Sequence, residues 1–310
     1  METTYVITGG AGNLASQLTF ELDVPPPQIV LLDVVDSPKL PVVAGCRYER
    51  ADATDYGALR RVLRAHRPAV VLHMASLLSA QSEQDRDLAW RVNVQSTINV
   101  CEAMVELGIG RLFFASSVAS YGGAVPDPMP EDFPQWPIGF YGVTKVVCER
   151  LGTYYGAKHG LDFRALRLPL VMSRHAHPGA ASSYASLAFV EARRRGRFVF
   201  TVNPTTRVSS LYAKDAARAI RMLATADQSS LTRRVYNIHG IAPTAAQIAA
   251  AIRARVPDAK LTFEPDPQVV ALAESWPAVI DDTCARRDWG WEPRFDLESL
   301  ADDFVNDLRS

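Results

Sequence analysis

Tyr5-Val6-Ile7-Thr8-Gly9-Gly10-Ala11-Gly12-Asn13-Leu14-Ala15 is the stretch that decides the fold. A β-branched run, a glycine turn and the opening of a helix follow one another, the order of a strand–turn–helix unit. Gly9 permits the tight turn, and Gly12 lets backbone approach a pyrophosphate whose charge meets the helix N-terminus. Asn13 and Leu14 open that helix, and Ala15 stands where a third glycine often allows close helix–strand packing. Asp33 ends the next apolar run, 21 residues after Gly12. A carboxylate there accepts from both ribose hydroxyls of NAD and repels the extra phosphate of NADP. A glycine turn alone is weak evidence; the strand, helix and acid around it raise it to a dinucleotide site.

The chain on either side repeats the unit. Ile29-Val30-Leu31-Leu32, a short Cys46-Arg47-Tyr48 segment, Val70-Val71-Leu72, Leu112-Phe113-Phe114 and Phe163-Arg164-Ala165-Leu166 alternate with helix-length segments. Continuous apolar runs bounded by turns suit strands buried on both faces, and alternation with helices implies a parallel sheet. Pro25-Pro26-Pro27 closes the first helix and turns into the second strand. The expected class is α/β, a Rossmann-type doubly wound parallel sheet.

After Pro169 the texture changes to a small-residue loop through Pro178, Gly179, Ser182 and Ser183. A helix to Arg195, a strand-like Arg207-Val208-Ser209-Ser210-Leu211, a helix over 214–226 and a strand Val235-Tyr236-Asn237 follow. Prolines 265, 267, 277 and 293 punctuate a tail of short amphipathic pieces. These readings assign 1–169 to an NAD-binding Rossmann domain, with 207–240 returning to it. Residues 170–206 and 241–310 form a smaller mixed α/β substrate-binding lobe.

Composition narrows the class. The 48% apolar and 22% charged content of 310 residues is that of a soluble enzyme with a sizeable core. A formal net charge of −1 gives no reason to expect nucleic acid or an anionic membrane as partner. The run Arg193-Arg194-Arg195-Gly196-Arg197 reads as a helix C-terminus closed by glycine, with phosphate binding as the alternative. Cys46, Cys101, Cys148 and Cys284 lie far apart, which predicts reduced thiols and neither disulfides nor a metal site. No basic-plus-apolar leader precedes the first strand, and no run nears the about 20 apolar residues that span a bilayer. The expectation is a cytoplasmic protein.

Two further segments extend the cofactor site. Asp52-Ala53, after the third strand, reaches an adenine edge, or Asp52 or Thr54 caps the following helix. His73-Met74-Ala75-Ser76 ends the fourth strand with small residues where a cofactor passes closely. The chemistry is carried by Tyr141-Gly142-Val143-Thr144-Lys145, 24 residues after Ser117. Tyr141 and Lys145, four apart, share one helix face. An ammonium nearby favours the phenolate, so Tyr141 can take a proton from an alcohol. Ser117 would hold the same hydroxyl, and Lys145 would also bind the nicotinamide ribose. The competing reading, an exposed helix that happens to carry Tyr and Lys, loses weight because Ser116-Ser117 closes the fifth strand.

Here the chain resembles the extended short-chain dehydrogenases over essentially its whole length. Ser116-Ser117-Val118-Ala119-Ser120-Tyr121-Gly122 and Arg207 to Asp215 match that family's pattern. Within it, the epimerase-like L-threonine 3-dehydrogenases are the nearest likeness, through His73 to Ala80, Thr206-Arg207 and above all Glu274-Ser275-Trp276-Pro277. The resemblance implies that Asn93 bonds a backbone carbonyl near the site, and that Ser116 and Leu168 also border the cofactor. It implies that Ser79, Ser117, Tyr141, Gly179, Ser182, Ser183, Arg207 and Trp276 hold the substrate. Trp289 and Trp291 read instead as core of the small lobe. It further implies a homodimer packed through helices over 87–107 and 141–159, although the Ala, Val and Met of those helices equally suit burial against the sheet.

The implied activity is NAD-dependent oxidation of the 3-hydroxyl of L-threonine, or of a related small 2-amino-3-hydroxy acid, to the 3-keto acid. One segment departs from the pattern. Where the family shows glycines, two threonines and an aspartate, this chain has Gly179-Ala180-Ala181-Ser182-Ser183-Tyr184, without the acid that would meet a substrate ammonium. Arg167-Leu168-Pro169-Leu170 likewise replaces the usual Arg-Tyr-Pro-Gly. Three other readings stand beside this one: a sugar-acid dehydrogenase, a sugar-nucleotide epimerase, and a dinucleotide-sensing regulator. An intact Ser117, Tyr141 and Lys145 argues against the last.

Overall fold

The computed structural model describes residues 3–123, 125–176 and 183–308. Among the described residues, six strands arise by Leu168: β1 (Tyr5–Thr8), β2 (Ile29–Asp33), β3 (Arg47–Arg50), β4 (Val70–His73), β5 (Arg111–Ser117) and β6 (Asp162–Leu168). Five more follow: β7 (Leu170–Met172), β8 (Arg197–Phe200), β9 (Ser210–Tyr212), β10 (Val235–Asn237) and β11 (Lys260–Phe263). The main sheet runs β10-β6-β5-β4-β1-β2-β3, every pair parallel. Strand order reverses at β1, which pairs with β2 on one side and β4 on the other. That is the switch point where a doubly wound sheet opens a crevice at its C-terminal edge.

Successive strand residues are buried on alternate faces of the sheet, as a period of two requires. Tyr5, Ile7, Ile29, Leu31, Val70, Leu72, Phe113 and Ala115 face one core, with the Asn13–Glu21 and Ala213–Thr225 helices. Val6, Val30, Leu32, Val71, Leu112, Phe114 and Phe163 face the other, under the Tyr56–His66, Ser96–Leu107 and Phe140–His159 helices. Both faces are therefore sealed. Each fully buried aliphatic side chain stabilises the sheet by about 1.5–3 kcal/mol.

A third core belongs to a smaller lobe, where β8 and β11 pair in parallel beside the Tyr184–Arg195, Ala245–Arg255 and Leu297–Asp307 helices. β7 and β9 pair separately, with Leu211 in the first core and Met172 and Tyr212 in the third. β10 joins β6 in parallel at the edge of the main sheet. Trp291, fully buried, and its neighbour Trp289 are core, but of the main sheet's helix layer and not of the lobe. The Arg218 guanidinium stacks on Trp291 at 4.9 Å.

Several boundaries differ from the sequence reading. β3 begins at Arg47, leaving Cys46 outside, and β9 spans Ser210–Tyr212, leaving Arg207 in an exposed approach. The Arg193–Arg195 cations do lie in a helix's last turn, closed by Gly196. Met104, Ala103 and Val100 of the middle helix are buried against the sheet. Among the described residues, no helix is long and apolar enough to cross a membrane.

Candidate active site

The glycine turn and the strand-end residues singled out in the sequence lie along the C-terminal edge of the sheet. Thr8 pairs with Leu32 on one side and His73 on the other, so the glycine turn, Asp33 and the segment after β4 emerge together. Gly9 has φ +68°, and a Cβ there would lie 2.8 Å from the Ala75 nitrogen. Only glycine satisfies both the left-handed backbone and the approach of Met74-Ala75. Gly12 is the N-cap of the Asn13–Glu21 helix, which has no side-chain cap and no acid in its first turn. Its open N–H groups and dipole suit an anion. Asp33 Oδ2 accepts from the Ala11 nitrogen at 3.0 Å, fixing the carboxylate at the turn. Asn13 Oδ1 accepts from Ser173 Oγ at 3.0 Å, which ties the turn to the chain beyond β7.

Neither Asp52 nor Thr54 caps the following helix. Asp52 Oδ1 accepts from the Thr54 nitrogen, and the cap of the Tyr56–His66 helix is Asp55, which accepts from Ala58. Asp52 itself is exposed beside buried Ala53. Met74 and Ala75 donate backbone N–H groups to Thr8 Oγ1 at 3.3 and 3.4 Å. Ser76 is half-buried just beyond them.

His73 is sealed under this edge, sharing hydrogen bonds with Thr8 Oγ1 at 2.6 Å, Thr97 Oγ1 at 3.1 Å and Ser96 Oγ at 3.2 Å. Burial, helped by the Lys145 ammonium, lowers its pKa to about 3, so the imidazole is neutral. Asn93 lies in a π-helical turn, Trp90–Gln95, of the kind found at functional sites. It clamps Leu77 in both directions: Oδ1 accepts from the Leu77 nitrogen at 2.7 Å and Nδ2 donates to the Leu77 carbonyl at 3.2 Å. Its Nδ2 also donates to Thr144 Oγ1 at 3.1 Å, on the Tyr141 helix.

Tyr141 sits half-buried in the first turn of the Phe140–His159 helix, and Lys145, 3% exposed, lies one turn on. Lys145 Nζ donates to the Ala115 carbonyl at 2.8 Å and lies 5.2 Å from the Tyr141 ring centre. Ser117 ends β5, and its Oγ accepts from the Ala119 nitrogen at 3.2 Å. Gly142 packs so closely on that turn that a Cβ would run into the Ala119 carbonyl oxygen. This contact draws the Ser117 turn to the start of the Tyr141 helix. Glu83, from the Ser79–Gln84 helix, accepts from the Phe140 nitrogen at 2.6 Å and caps the Phe140–His159 helix from outside.

Ser116 is turned away, its hydroxyl donating to Glu149. Leu168, buried, pairs with Ser117 across β5 and β6.

The residues expected around a substrate are brought together in part. Ser79 is exposed at the start of its helix. Arg207 is exposed, its Nε donating to the Ala242 carbonyl. Trp276 packs half-buried against the lobe core, and Thr206 and Asn203 both donate to Glu274 Oε1 at 3.2 Å. The tail then meets the 127–129 segment: the Asp281 nitrogen donates to the Met129 carbonyl, and the Val279 nitrogen to Asp127 Oδ1. Ser183 is buried beside Tyr184; Gly179 and Ser182 lie outside the described residues. The sequence reading missed Glu149, Arg167 and Glu83. A carboxylate at i+8 from Tyr141, within an otherwise buried stripe, was the available signal for the first.

A glycine turn opening a helix, a carboxylate at the neighbouring strand end and a Tyr–Lys pair beside a strand-end serine define an NAD-dependent oxidoreductase. The NAD dependent epimerase/dehydratase family matches residues 5–238, and the chain belongs to it. The mitochondrial L-threonine 3-dehydrogenase of Bos taurus is 36% identical over 309 residues, covering 97% of this chain and 81% of that protein. The crystal structure of L-threonine dehydrogenase from Clostridium difficile superposes with a TM-score of 0.92 at 30% identity, covering 99% of this chain and 98% of that one. A nucleoside-diphosphate-sugar epimerase from Agrobacterium tumefaciens is also similar, with a TM-score of 0.88 at 25% identity, over 99% of this chain and 94% of its own.

Proposed function

We propose that the chain oxidises the 3-hydroxyl of L-threonine, or of a related small 2-amino-3-hydroxy acid, to the 3-keto acid, with Tyr141 as general base. The observation that carries this reading is the Tyr141–Lys145–Ser117 grouping at the sheet edge beside the Gly9–Gly12 turn. Likeness to threonine dehydrogenases over nearly the whole chain supports the substrate. NAD, when bound, supplies the hydride acceptor.

Gly9, Gly12, Asn13 and Leu14 hold its pyrophosphate at the helix N-terminus, and Asp33 holds the adenosine ribose. Asp52 and Ala53 border the adenine. Met74, Ala75, Ser76, Asn93, Leu168 and the backbone of Ser116, whose hydroxyl is turned to Glu149, border the rest. Lys145 binds the nicotinamide ribose and stabilises negative charge on Tyr141. Ser117 donates to the reacting oxygen while Tyr141 takes its proton. Ser79, Ser182, Ser183, Gly179, Arg207 and Trp276 enclose the amino acid, whose small apolar area makes exclusion of water depend on the lobe. A homodimer through the 87–107 and 141–159 helices is supported by exposed Leu88, Trp90, Val143 and Tyr154. Four free thiols suit a cytoplasmic location.

Initial rates of NADH formation with L-threonine, L-allo-threonine, L-serine, 3-phenylserine and sugar acids test the substrate. Turnover of L-threonine means the loop serines and tail replace the missing carboxylate. Silence on all amino acids with turnover of a sugar acid defeats the amino-acid reading. The Agrobacterium epimerase neighbour favours a second reading, in which NAD stays bound and is regenerated. Stoichiometric NAD retained through purification would support it.

A further inference from the structure

Tyr141 and Lys145 lie on a helix face that continues to Glu149, a further turn on, about 12 Å along the axis from Tyr141. Glu149 is fully buried. Its Oε1 accepts from Ser116 Oγ and from Arg167 Nε at 3.0 Å. Its Oε2 accepts from Arg167 Nη2 at 2.8 Å and from Gln135 Nε2 at 2.9 Å. Four donors saturate the carboxylate.

The two anchors occupy a particular place. Ser116 and Arg167 are direct partners across β5 and β6, and the next pair is Ser117 and Leu168. Strand alternation sends both side chains to the face covered by the Phe140–His159 helix, with Phe114 and Ala165. Lys145 holds the Ala115 carbonyl one residue earlier. The helix that carries Tyr141 is thus bonded to the strand that carries Ser117 at two consecutive residues. Gln135 brings in the segment leading to the helix, and Arg167 Nη1 donates to Tyr121 beyond the Ser117 turn.

A buried ion pair contributes little net stability relative to apolar side chains of the same volume. What it adds is direction: four bonds of fixed geometry from one carboxylate to three other pieces of chain. We propose that Glu149 is a positioning residue that sets Ser117 relative to Tyr141, through Ser116 and Arg167. The inference rests on the general-base reading of Tyr141.

Three variants test it, through NADH affinity, kcat, KM for NAD⁺ and the deuterium isotope effect on kcat. Ser116→Ala removes one neutral hydroxyl and leaves Glu149 paired with Arg167. Glu149→Leu combined with Arg167→Met exchanges the pair for apolar side chains, a replacement that folded cores tolerate. Tyr141→Phe reports on the underlying reading.

Both clamp variants are expected to bind NADH within about twofold of wild type while kcat falls about 10- to 100-fold. The isotope effect rises as hydride transfer becomes the slow step. A folded Ser116→Ala enzyme with kcat within about twofold of wild type overturns the proposal, whether or not the double variant folds. Substantial activity in Tyr141→Phe overturns the general-base reading instead, so the two failures stay distinct.

Discussion

Gly9 and Gly160 share a positive φ, +68° and +70°, yet differ in what a side chain would meet. Around Gly160 nothing lies within 4 Å. Around Gly9, the Ala75 nitrogen and Cα and the Met74 carbonyl carbon lie 2.8, 2.9 and 3.0 Å from an added Cβ. Alanine at Gly160 therefore incurs only the left-handed term, about 1 kcal/mol. At Gly9 the same term is joined by overlap with backbone that cannot rotate away, a further loss of about 1–3 kcal/mol. Urea unfolding followed by tryptophan fluorescence, with an NADH titration of each folded variant, reads both effects. Gly9→Ala should be less stable than Gly160→Ala by about 1–3 kcal/mol, and it alone should bind NADH weakly. Equal stability, or wild-type NADH affinity in Gly9→Ala, would refute the close approach of turn and Ala75 segment.

Asp33→Ala should lower the preference for NAD over NADP at least about tenfold, or 1.4 kcal/mol; an unchanged ratio of affinities removes Asp33 from cofactor choice. Gly142→Ala should reduce kcat more than NADH affinity and destabilise by about 1–3 kcal/mol, because it pushes the Ser117 turn off the Tyr141 helix. Normal turnover would show that this contact does not set the site. Burial pushes Glu131 up to about 7 from 4.5, against the pull of Arg233 and Arg167 and with that of Asp281. The folded protein thus holds a proton that the unfolded chain releases near 4.5. Its contribution is complete below that pH, falls as pH rises, and is lost above 7. Glu131→Gln should flatten this decline, worth up to about 2 kcal/mol after solvent screening, in melts between pH 5 and 8. An unchanged slope would assign the dependence elsewhere.

The sheet was legible because its strands are buried on both faces, so Ile29 to Leu32 and Val70 to Leu72 stand out as unbroken apolar runs. The lobe's strands carry no such mark. In β8 and β11 the Arg197–Phe200 and Lys260–Phe263 segments are short and half-exposed, and Arg197 reads as the end of a basic run. Asp52 and Asp55 are equally good caps by residue type, and only the backbone of the turn selects Asp55. The cofactor turn and the Tyr141–Lys145 pair were visible because their spacing is local. The Glu149–Arg167–Ser116 contacts join three distant segments, so sequence spacing shows one member at most. Trp291 was read as buried, but its partner layer depends on how the tail folds back.

The central claim is that Tyr141 moves the proton of a substrate hydroxyl while NAD sits beside it. The most direct measurement is turnover of L-threonine with NAD⁺ by wild type and Tyr141→Phe, alongside NADH binding by both. The account predicts NADH formation by wild type, loss of turnover by about 10²-fold or more in the variant, and equal NADH affinity. Comparable turnover by the two enzymes would contradict it.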